Sequence, residues 1–498
     1  MFNLVKGTHD VILNDARKYS YIEAVLEKTS ELYGYKEFRT PIIETSELFL
    51  RSVGDSSDIV RKEMYTFDDK GGRSITLRPE ITAGTVRSMV TNKLFAMQDY
   101  PVKGYYCGPC FRYERPQQGR YRQFNQFGVE CVGVVRSERD AEVILMGFNS
   151  LMMLGFNNLV LKINTLGDEE SRQNYKKALH DYFEKYLGEM CSDCKERFEL
   201  NILRILDCKV EADRKIIEGA PKITDFLSES AKKDFDTVLK NLDKLGIPYT
   251  IDTELVRGLD YYSGVVFEFH YTSSQGKNYG AIGAGGHYNN LVSELGGPAI
   301  EGCGYAMGIE RLASVMEDDN LFADLDLYLD TYLMPIGERA INESLEVANA
   351  IRLSGYSCEV CLENKNFGQM FKKADRRGAL YAIIMGDEEI DSGSFIIKNM
   401  ASQEQIRVKD VNLIDKLDEL FGEGQSRCSC GHNHNHEEHE CCCGHNHEHE
   451  ENECCCGGHG HGRDENHECC GGHGHNHEDG HEKHHGHGEG CCCGHHHE

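Results

Sequence analysis

No stretch of this 498-residue sequence approaches the ~18 to 20 consecutive apolar residues that a bilayer-spanning helix needs. The start, MFNLVKGTHD, reaches Asp10 without an apolar run like that of a secretory leader. These absences argue against a membrane partner and predict a cytoplasmic protein. Positive charge is also scarce, with 54 Lys and Arg against 82 Asp and Glu for a formal net charge of −28. So acidic a chain is a poor indiscriminate binder of nucleic acid. A specific RNA partner stays possible, because affinity follows the charges that face the phosphates. Cysteine is sparse over most of the length: only nine of 22 precede residue 428. That excludes the evenly stapled framework of a small secreted domain and fits reduced thiols.

What is present is ordinary for a globular protein over most of the chain, with 40% hydrophobic and 27% charged residues. The length allows two or three domains with cores of their own. Helical spacing marks KYSYIEAVLEKTSELYG, and YKEFRTPIIE follows as an edge or bent strand because of Pro41. RSITLRPE reads as a strand and ITAGTVRSMVTNKLF as the helix after it. PVKGYYCGPCFRYE and RQFNQFGVECVG read as two strands joined by a polar, glycine-containing loop, and 141–155 as a buried helix. Residues 168–245 are charged and helical in period. Strand signals return at TELVRGLDYYSGVVFEFHY and YGAIGAGGHY, and GCGYAMGIERLASVM reads as a strand entering a helix. This order predicts an α+β fold: an antiparallel-type sheet with helices around it and a helical insertion at about 168–245. After Asn320 alternating β and α units predict a smaller α/β domain. The expected division is 1–322, 326–422 and a tail, 423–498.

The tail is a different material. Residues 428–498 hold 13 cysteines and 20 of the 24 histidines, with almost nothing else apolar, so the tail is expected to be disordered without metal. Five blocks repeat thiolates followed by imidazoles, beginning CSCGHNHNHEEHE and CCCGHNHEHEENE. This soft-plus-borderline ligand set suits Zn²⁺, Ni²⁺ or Cu⁺. Candidate ligands are Cys441, Cys442, Cys443, His445, Cys454, Cys455, Cys456 and His459.

Chemistry of another kind sits upstream. LRPEITAG (77–84), FRYERPQQGRYRQF (111–124), RGLDYY (257–262) and GYAMGIERL (304–312) each set arginine near glutamate or tyrosine. Guanidinium forks hold phosphate or carboxylate bidentately, and nearby carboxylates can hold an ammonium. A substrate bearing both charges is implied, such as an amino acid together with a nucleotide polyphosphate. Any single such pair is usually a surface ion pair; four clusters with embedded Gly and Pro are harder to dismiss.

FRYERPQQGRYRQF resembles motif 2 of the class II aminoacyl-tRNA synthetases, GYAMGIERL resembles their motif 3, and GYKEFRTPIIE resembles motif 1, the dimer-interface element. Within that class, KGTHD, RGLDYY and AGGHY resemble the signatures of the histidyl-tRNA synthetase family, in order from Lys6 to about residue 420. The resemblance implies an antiparallel-sheet catalytic core, an α/β anticodon-binding domain and a homodimer. It implies an ATP-dependent ligase that activates histidine, with Mg²⁺-ATP as co-substrate, and transfers it to the 3′ end of tRNA(His). By the same resemblance, Glu80, Thr82 and Gln126 hold the α-ammonium of histidine, while Glu130 and Tyr262 hold its imidazole with Tyr288 nearby. Arg112 and Arg311 hold the phosphates, Glu114 the adenine end, and Phe124 stacks on the base. Arg257 is the expected catalytic residue, at the α-phosphate where the histidine carboxylate attacks. Arg115, Gln117, Gln118 and Arg120 contact the acceptor end of the tRNA. The basic run Lys372, Lys373, Arg376 and Arg377 lies where the family reads the anticodon; without the resemblance a solvated helix face is as good a reading.

His287 and Asn289 stand where Arg and Asp are common in the family. CGPC (107–110) spells a redox motif but sits in a strand pattern, so buried structural cysteines are expected. CEVC (358–361) is discounted as a ligand pair because a strand points the two side chains to opposite faces. CSDC (191–194) with Cys208 offers three ligands, one short of a structural zinc site. Two other readings compete with the ligase: a histidine-sensing regulatory paralogue without catalysis, and a metal store on a synthetase scaffold. The paralogue lacks the anticodon-binding domain and degrades the ATP motifs, whereas Arg112, Arg257 and Arg311 are all present here.

Overall fold

The computed structural model describes residues 2–422 except 55–56, 98–99, 117–118, 135, 323–324, 326–327 and 364. All of them belong to the first of two compact units, Met1–His439. Its centre is an eight-stranded sheet in the order Lys36–Glu37, Val102–Phe111, Gln123–Val134, Glu301–Gly308, Asn278–Tyr288, Ser263–Thr272, Leu159–Thr165 and Tyr249–Ile251. All pairings are antiparallel except the outermost at each side. The motif 1 segment with Pro41 indeed supplies an edge strand, Lys36–Glu37.

Two-residue alternation sorts each central strand onto two faces. On Gln123–Val134, Phe127, Val129 and Cys131 are buried in the main core. On Ser263–Thr272 Phe267, Phe269 and Tyr271 do the same. Helices Leu13–Leu32, Glu138–Met153 and Ile309–Asp318 contribute to that core, at about 1.5–3 kcal/mol for each large apolar side chain fully buried. The intervening residues Phe124, Gln126, Gly128 and Glu130, with Glu268 and His270, occupy the other face. Glycines make that face deep. A Cβ at Gly304 would overlap the Glu130 carboxylate, and one at Gly128 would overlap the Tyr106 hydroxyl.

The strand signal read from residue 253 starts only at Ser263. Residues 252–262 form a loop whose carbonyls are taken by side chains rather than by a neighbouring strand: Asn164 donates to the Leu255 oxygen at 2.9 Å and Arg204 to the Arg257 oxygen at 3.1 Å. The insertion folds as helices Glu169–Phe183, Ser192–Leu200, Glu211–Ile217 and Glu229–Lys244, with a small core of its own around Phe183, Phe198 and Ile205. Its last helix packs back instead, sending Phe235, Val238 and Leu242 into the main core.

A second, five-stranded mixed sheet runs Cys358–Val360, Leu329–Pro335, Ala379–Met385, Ser394–Asn399 and Gln405–Lys409. The last two strands and helix Leu413–Phe421 complete the α/β pattern expected there. Cys358 and Cys361 fall in separate hydrophobic clusters, as strand geometry requires. Cys107 and Cys110 lie within strand Val102–Phe111 and are free; burial pushes the Cys110 thiol up to about 12 and raises Cys107 too, so both are inert. No helix among the described residues is long and apolar enough to cross a membrane.

Candidate active site

Strand Gln123–Val134 is the spine of the site. Phe124, Gln126 and Glu130 project from one face over six residues, a span of about 20 Å at the usual rise. At the Glu130 end lies a buried polar cluster. Glu130 is 1% exposed, and its two oxygens accept from Tyr106 Oη at 3.1 Å and Tyr288 Oη at 2.9 Å. Burial, the dominant cause, pushes its carboxyl up to about 8 although hydrogen bonds pull the other way. Tyr106 Oη also meets Thr82 Oγ1 at 3.1 Å. Glu80, likewise buried, accepts from the Ala83 amide at 3.0 Å through Oε1, while Oε2 has no hydrogen-bond partner among the described residues. A buried carboxylate oxygen without a donor is costly in itself and well suited to an arriving cation. Tyr262 reaches this cluster through Tyr261, whose ring centre lies 4.6 Å from that of Tyr262 and 5.9 Å from that of Tyr288.

At the Phe124 end the cluster gives way to an open cleft of about 970 Å³, lined by Arg112, Glu114, Phe124, Gln126, Arg257 and Arg311, among others. Arg112 donates to the Pro79 oxygen at 2.8 Å and lies over the Phe124 ring, 5.1 Å from its centre. Arg311, in the first turn of its helix, donates to the Tyr279 oxygen. Its neighbour Glu310 accepts the Asn125 amide at 2.8 Å, tying motif 3 to motif 2, and burial raises its carboxyl to about 7. Arg257 is held by Glu268 Oε1 at 2.9 Å and stands 5.5 Å from the Tyr262 ring centre. Glu268 is steadied in turn by His270 Nε2 at 2.9 Å, and Arg257 Nε is buried without a partner among the described residues. A buried polar cluster with an unpartnered carboxylate oxygen therefore adjoins, through Gln126, an arginine-lined cleft sized for a nucleotide.

A family model described as histidyl-tRNA synthetase matches residues 7–312, and one described as an anticodon binding domain matches residues 330–420. The chain belongs to the histidyl-tRNA synthetase family. The histidine–tRNA ligase of Anoxybacillus flavithermus is 45% identical over 410 residues, 82% of this chain and 96% of the relative. That of Staphylococcus saprophyticus is 44% identical and is matched over its whole length by 84% of this chain. The crystal structure of the apo histidyl-tRNA synthetase of S. aureus is matched whole by 84% of this chain, with a TM-score of 0.71 and 38% identity. The Cys/His-rich tail lies beyond both family models.

Of the residues that the family resemblance singled out, Glu80, Thr82, Glu130 and Tyr288 are joined in one cluster through Tyr106, with Tyr262 beside them. Arg112, Glu114, Arg120, Phe124, Gln126, Arg257 and Arg311 line the cleft. Arg120 sits 3.8 Å from Glu114, and Arg115 is exposed on the same loop. Gln117, Gln118 and all the tail ligands from Cys441 to His459 lie outside the described residues. The arginine of LRPE is no substrate group: Arg78 is buried and donates to the Pro109 oxygen at 2.8 Å and the Thr40 oxygen at 2.9 Å, bracing motif 1 against motif 2. In the basic run on helix Phe367–Arg376, Lys373 pairs with Glu363 at 2.6 Å and Arg377 with Glu359 at 3.1 Å, which leaves Lys372 and Arg376 as its exposed cations without an ion pair among the described residues.

Sequence reasoning missed Tyr106, Glu268 and His270. Tyr106 stands opposite Gly128 across the strand pair, and Gly104 opposite Glu130, so glycine facing a large polar residue was the available signal. His287 is held between two carboxylates. His287 Nδ1 lies 2.9 Å from Asp140 and Nε2 lies 3.2 Å from Glu301. Burial alone would lower it, but the two carboxylates prevail and raise it to about 10. It bridges the two carboxylates of Asp140 and Glu301. Asn289 exchanges bonds with Ser263.

Proposed function

We propose that the chain is a histidine–tRNA ligase that activates histidine with ATP and esterifies tRNA(His). The observation that carries this is the buried Glu80–Thr82–Tyr106–Glu130–Tyr288 cluster adjoining the cleft of Arg112, Arg257 and Arg311. Glu80 Oε2, with Thr82 and Gln126, receives the α-ammonium of histidine. Glu130, with Tyr262 and Tyr288, receives the ring. A site whose buried polar groups need the ring nitrogens rejects amino acids that lack them, because those groups are then left unpaired.

ATP enters with the base against Phe124 and Glu114 and the phosphates at Arg112 and Arg311; the Mg²⁺ it carries would find hard oxygen on the carboxylate of Glu254, which lines the same cleft. The histidine carboxylate attacks the α-phosphorus, a new O–P bond forms, and the bond to the β-phosphate breaks, releasing pyrophosphate. Negative charge gathers on the α-phosphoryl oxygens, and Arg257 stabilises it from a fixed position. The terminal ribose hydroxyl of the tRNA then attacks the activated carbonyl, and AMP leaves. Arg115 and Arg120, together with Gln117 and Gln118, approach the acceptor end. Lys372 and Arg376 lie where the anticodon is read.

The division we adopt is a catalytic core at 1–322, an anticodon-binding domain at 326–422 and a tail at 423–498, working as a cytoplasmic homodimer. In the tail, the repeated thiolate-then-imidazole blocks support binding of Zn²⁺ or Ni²⁺; affinity no better than millimolar in a metal titration of the isolated tail removes that part. Charging of tRNA(His) with and without residues 423–498 tests the whole reading. Loss of charging on removal of the tail makes the tail part of the enzyme, and absence of charging in both forms overturns the ligase in favour of the regulatory paralogue or the metal store.

A further inference from the structure

The insertion brings together four groups from a span of 23 residues. The ligand atoms of Cys191, Cys194, Cys208 and Asp213 all lie within 4.8 Å of one another. Cys191 Sγ is 3.9 Å from Cys208 Sγ, and Cys208 Sγ is 3.3 Å from Asp213 Oδ2. Zn–S bonds of about 2.3 Å in a tetrahedron put two sulfurs about 3.8 Å apart, and a carboxylate ligand puts sulfur and oxygen about 3.6 Å apart. The two observed separations, 3.9 Å and 3.3 Å, lie close to those edges. The sulfur pair is also too far apart for a disulfide bond, which needs about 2.05 Å.

Two of the sulfurs already meet backbone donors. The Cys194 amide donates to Cys191 Sγ at 3.4 Å and the Val210 amide to Cys208 Sγ at 3.5 Å, so each sulfur is an acceptor within its own turn. Asp213 is 1% exposed; both its oxygens lie 3.2 Å from the Cys191 amide, and among the described residues it has no ion pair with Lys, Arg or His. Asp213 accepts from the Cys191 amide and the Cys208 thiol, and a cation held by the sulfurs would take the place of that thiol proton as the positive partner of this buried carboxylate.

We infer that Cys191, Cys194, Cys208 and Asp213 form a structural zinc site in the insertion, Asp213 being the fourth ligand that the CSDC…C pattern lacks. The site is closed by four protein ligands, as structural rather than catalytic zinc requires. It also has a position that matters. The turn Ile202–Asp207, between the ligands, carries Arg204, whose Nη1 holds the Arg257 carbonyl at 3.1 Å. Leu206, Cys208, Lys209 and Arg214 line the active-site cleft. The metal thus pins one wall of the cleft and the support of the Arg257 loop.

The test compares zinc content, by atomic emission, in the full chain and in a chain ending at residue 422. The shorter form is a fair substrate, because 84% of this chain matches the whole S. aureus enzyme. Purified without chelator, the shorter chain should carry one zinc. Cys194→Ser or Asp213→Asn should remove it, and the same substitutions should lower the full chain's content by one, whatever the tail holds. If the variants fail to fold, cobalt added to the chelator-stripped wild-type shorter chain should give the absorption of one tetrahedral thiolate-bound Co²⁺. Negligible zinc together with no tetrahedral cobalt spectrum overturns the site. So does a Cys191–Cys208 disulfide in the protein as purified.

Discussion

Replacing Glu130 by glutamine separates what this residue does for the fold from what it does for the substrate. In the free protein a carboxyl of about 8 against an ordinary 4.5 means that Glu130 holds its proton more tightly folded than unfolded. A raised folded value contributes stability that is full below pH 4.5 and is lost as pH rises through about 8. Across that window the loss is on the order of 5 kcal/mol. Glutamine keeps the shape, accepts from one tyrosine and donates to the other, and has no charge to bury. The variant should therefore melt as high as the wild type at pH 4 and higher at pH 8.5. Function should go the other way. A hydrogen bond from the substrate ring to a charged acceptor is worth about 1.5–3 kcal/mol, so kcat/KM for histidine should fall about 10- to 100-fold, with KM for ATP unchanged. Thermal melts at the two pH values and histidine-dependent pyrophosphate exchange read both arms. Wild-type kcat/KM for histidine would refute the pocket, and a lower melting point at pH 8.5 would refute the electrostatic argument.

Arg257→Ala should lower histidine-dependent exchange by about 10²–10³-fold, with a near-normal melting point because Glu268 keeps His270 as a partner. His287→Gln should cost about 3 kcal/mol at pH 7 by breaking a buried charge cluster. Because the folded value is raised from 6.5 to about 10, the histidine's contribution is full below pH 6.5 and lost through about pH 10, so the melting points of wild type and variant should converge above that. Ending the chain at residue 422 should leave the rate of tRNA charging unchanged; a large loss would make the tail part of the enzyme.

The catalytic strands were legible because their chemistry is local. FRYERPQQGRYRQF and GYAMGIERL carry their arginines, glycines and alternation within a few residues, and the structure sets them side by side. The insertion was legible as helices but not in its allegiance, since the pull of Phe235, Val238 and Leu242 toward the main core depends on a helix almost a hundred residues away. Tyr106 escaped notice because its role comes from meeting Glu130 across a strand pair. Asp213 did too, since its approach to Cys191 and Cys208 is set by packing within the insertion. The loop 252–262 reads as strand because Leu255 and Val256 are apolar; side chains from elsewhere satisfy its backbone instead of a ladder.

The most direct measurement is ATP–pyrophosphate exchange by the chain ending at residue 422, with each of the twenty amino acids in turn. Exchange with histidine and none of comparable rate with the others is the predicted result. No exchange with histidine, or equal exchange with an amino acid that lacks the imidazole, would contradict the assignment of the Glu130 pocket and the Arg257 cleft.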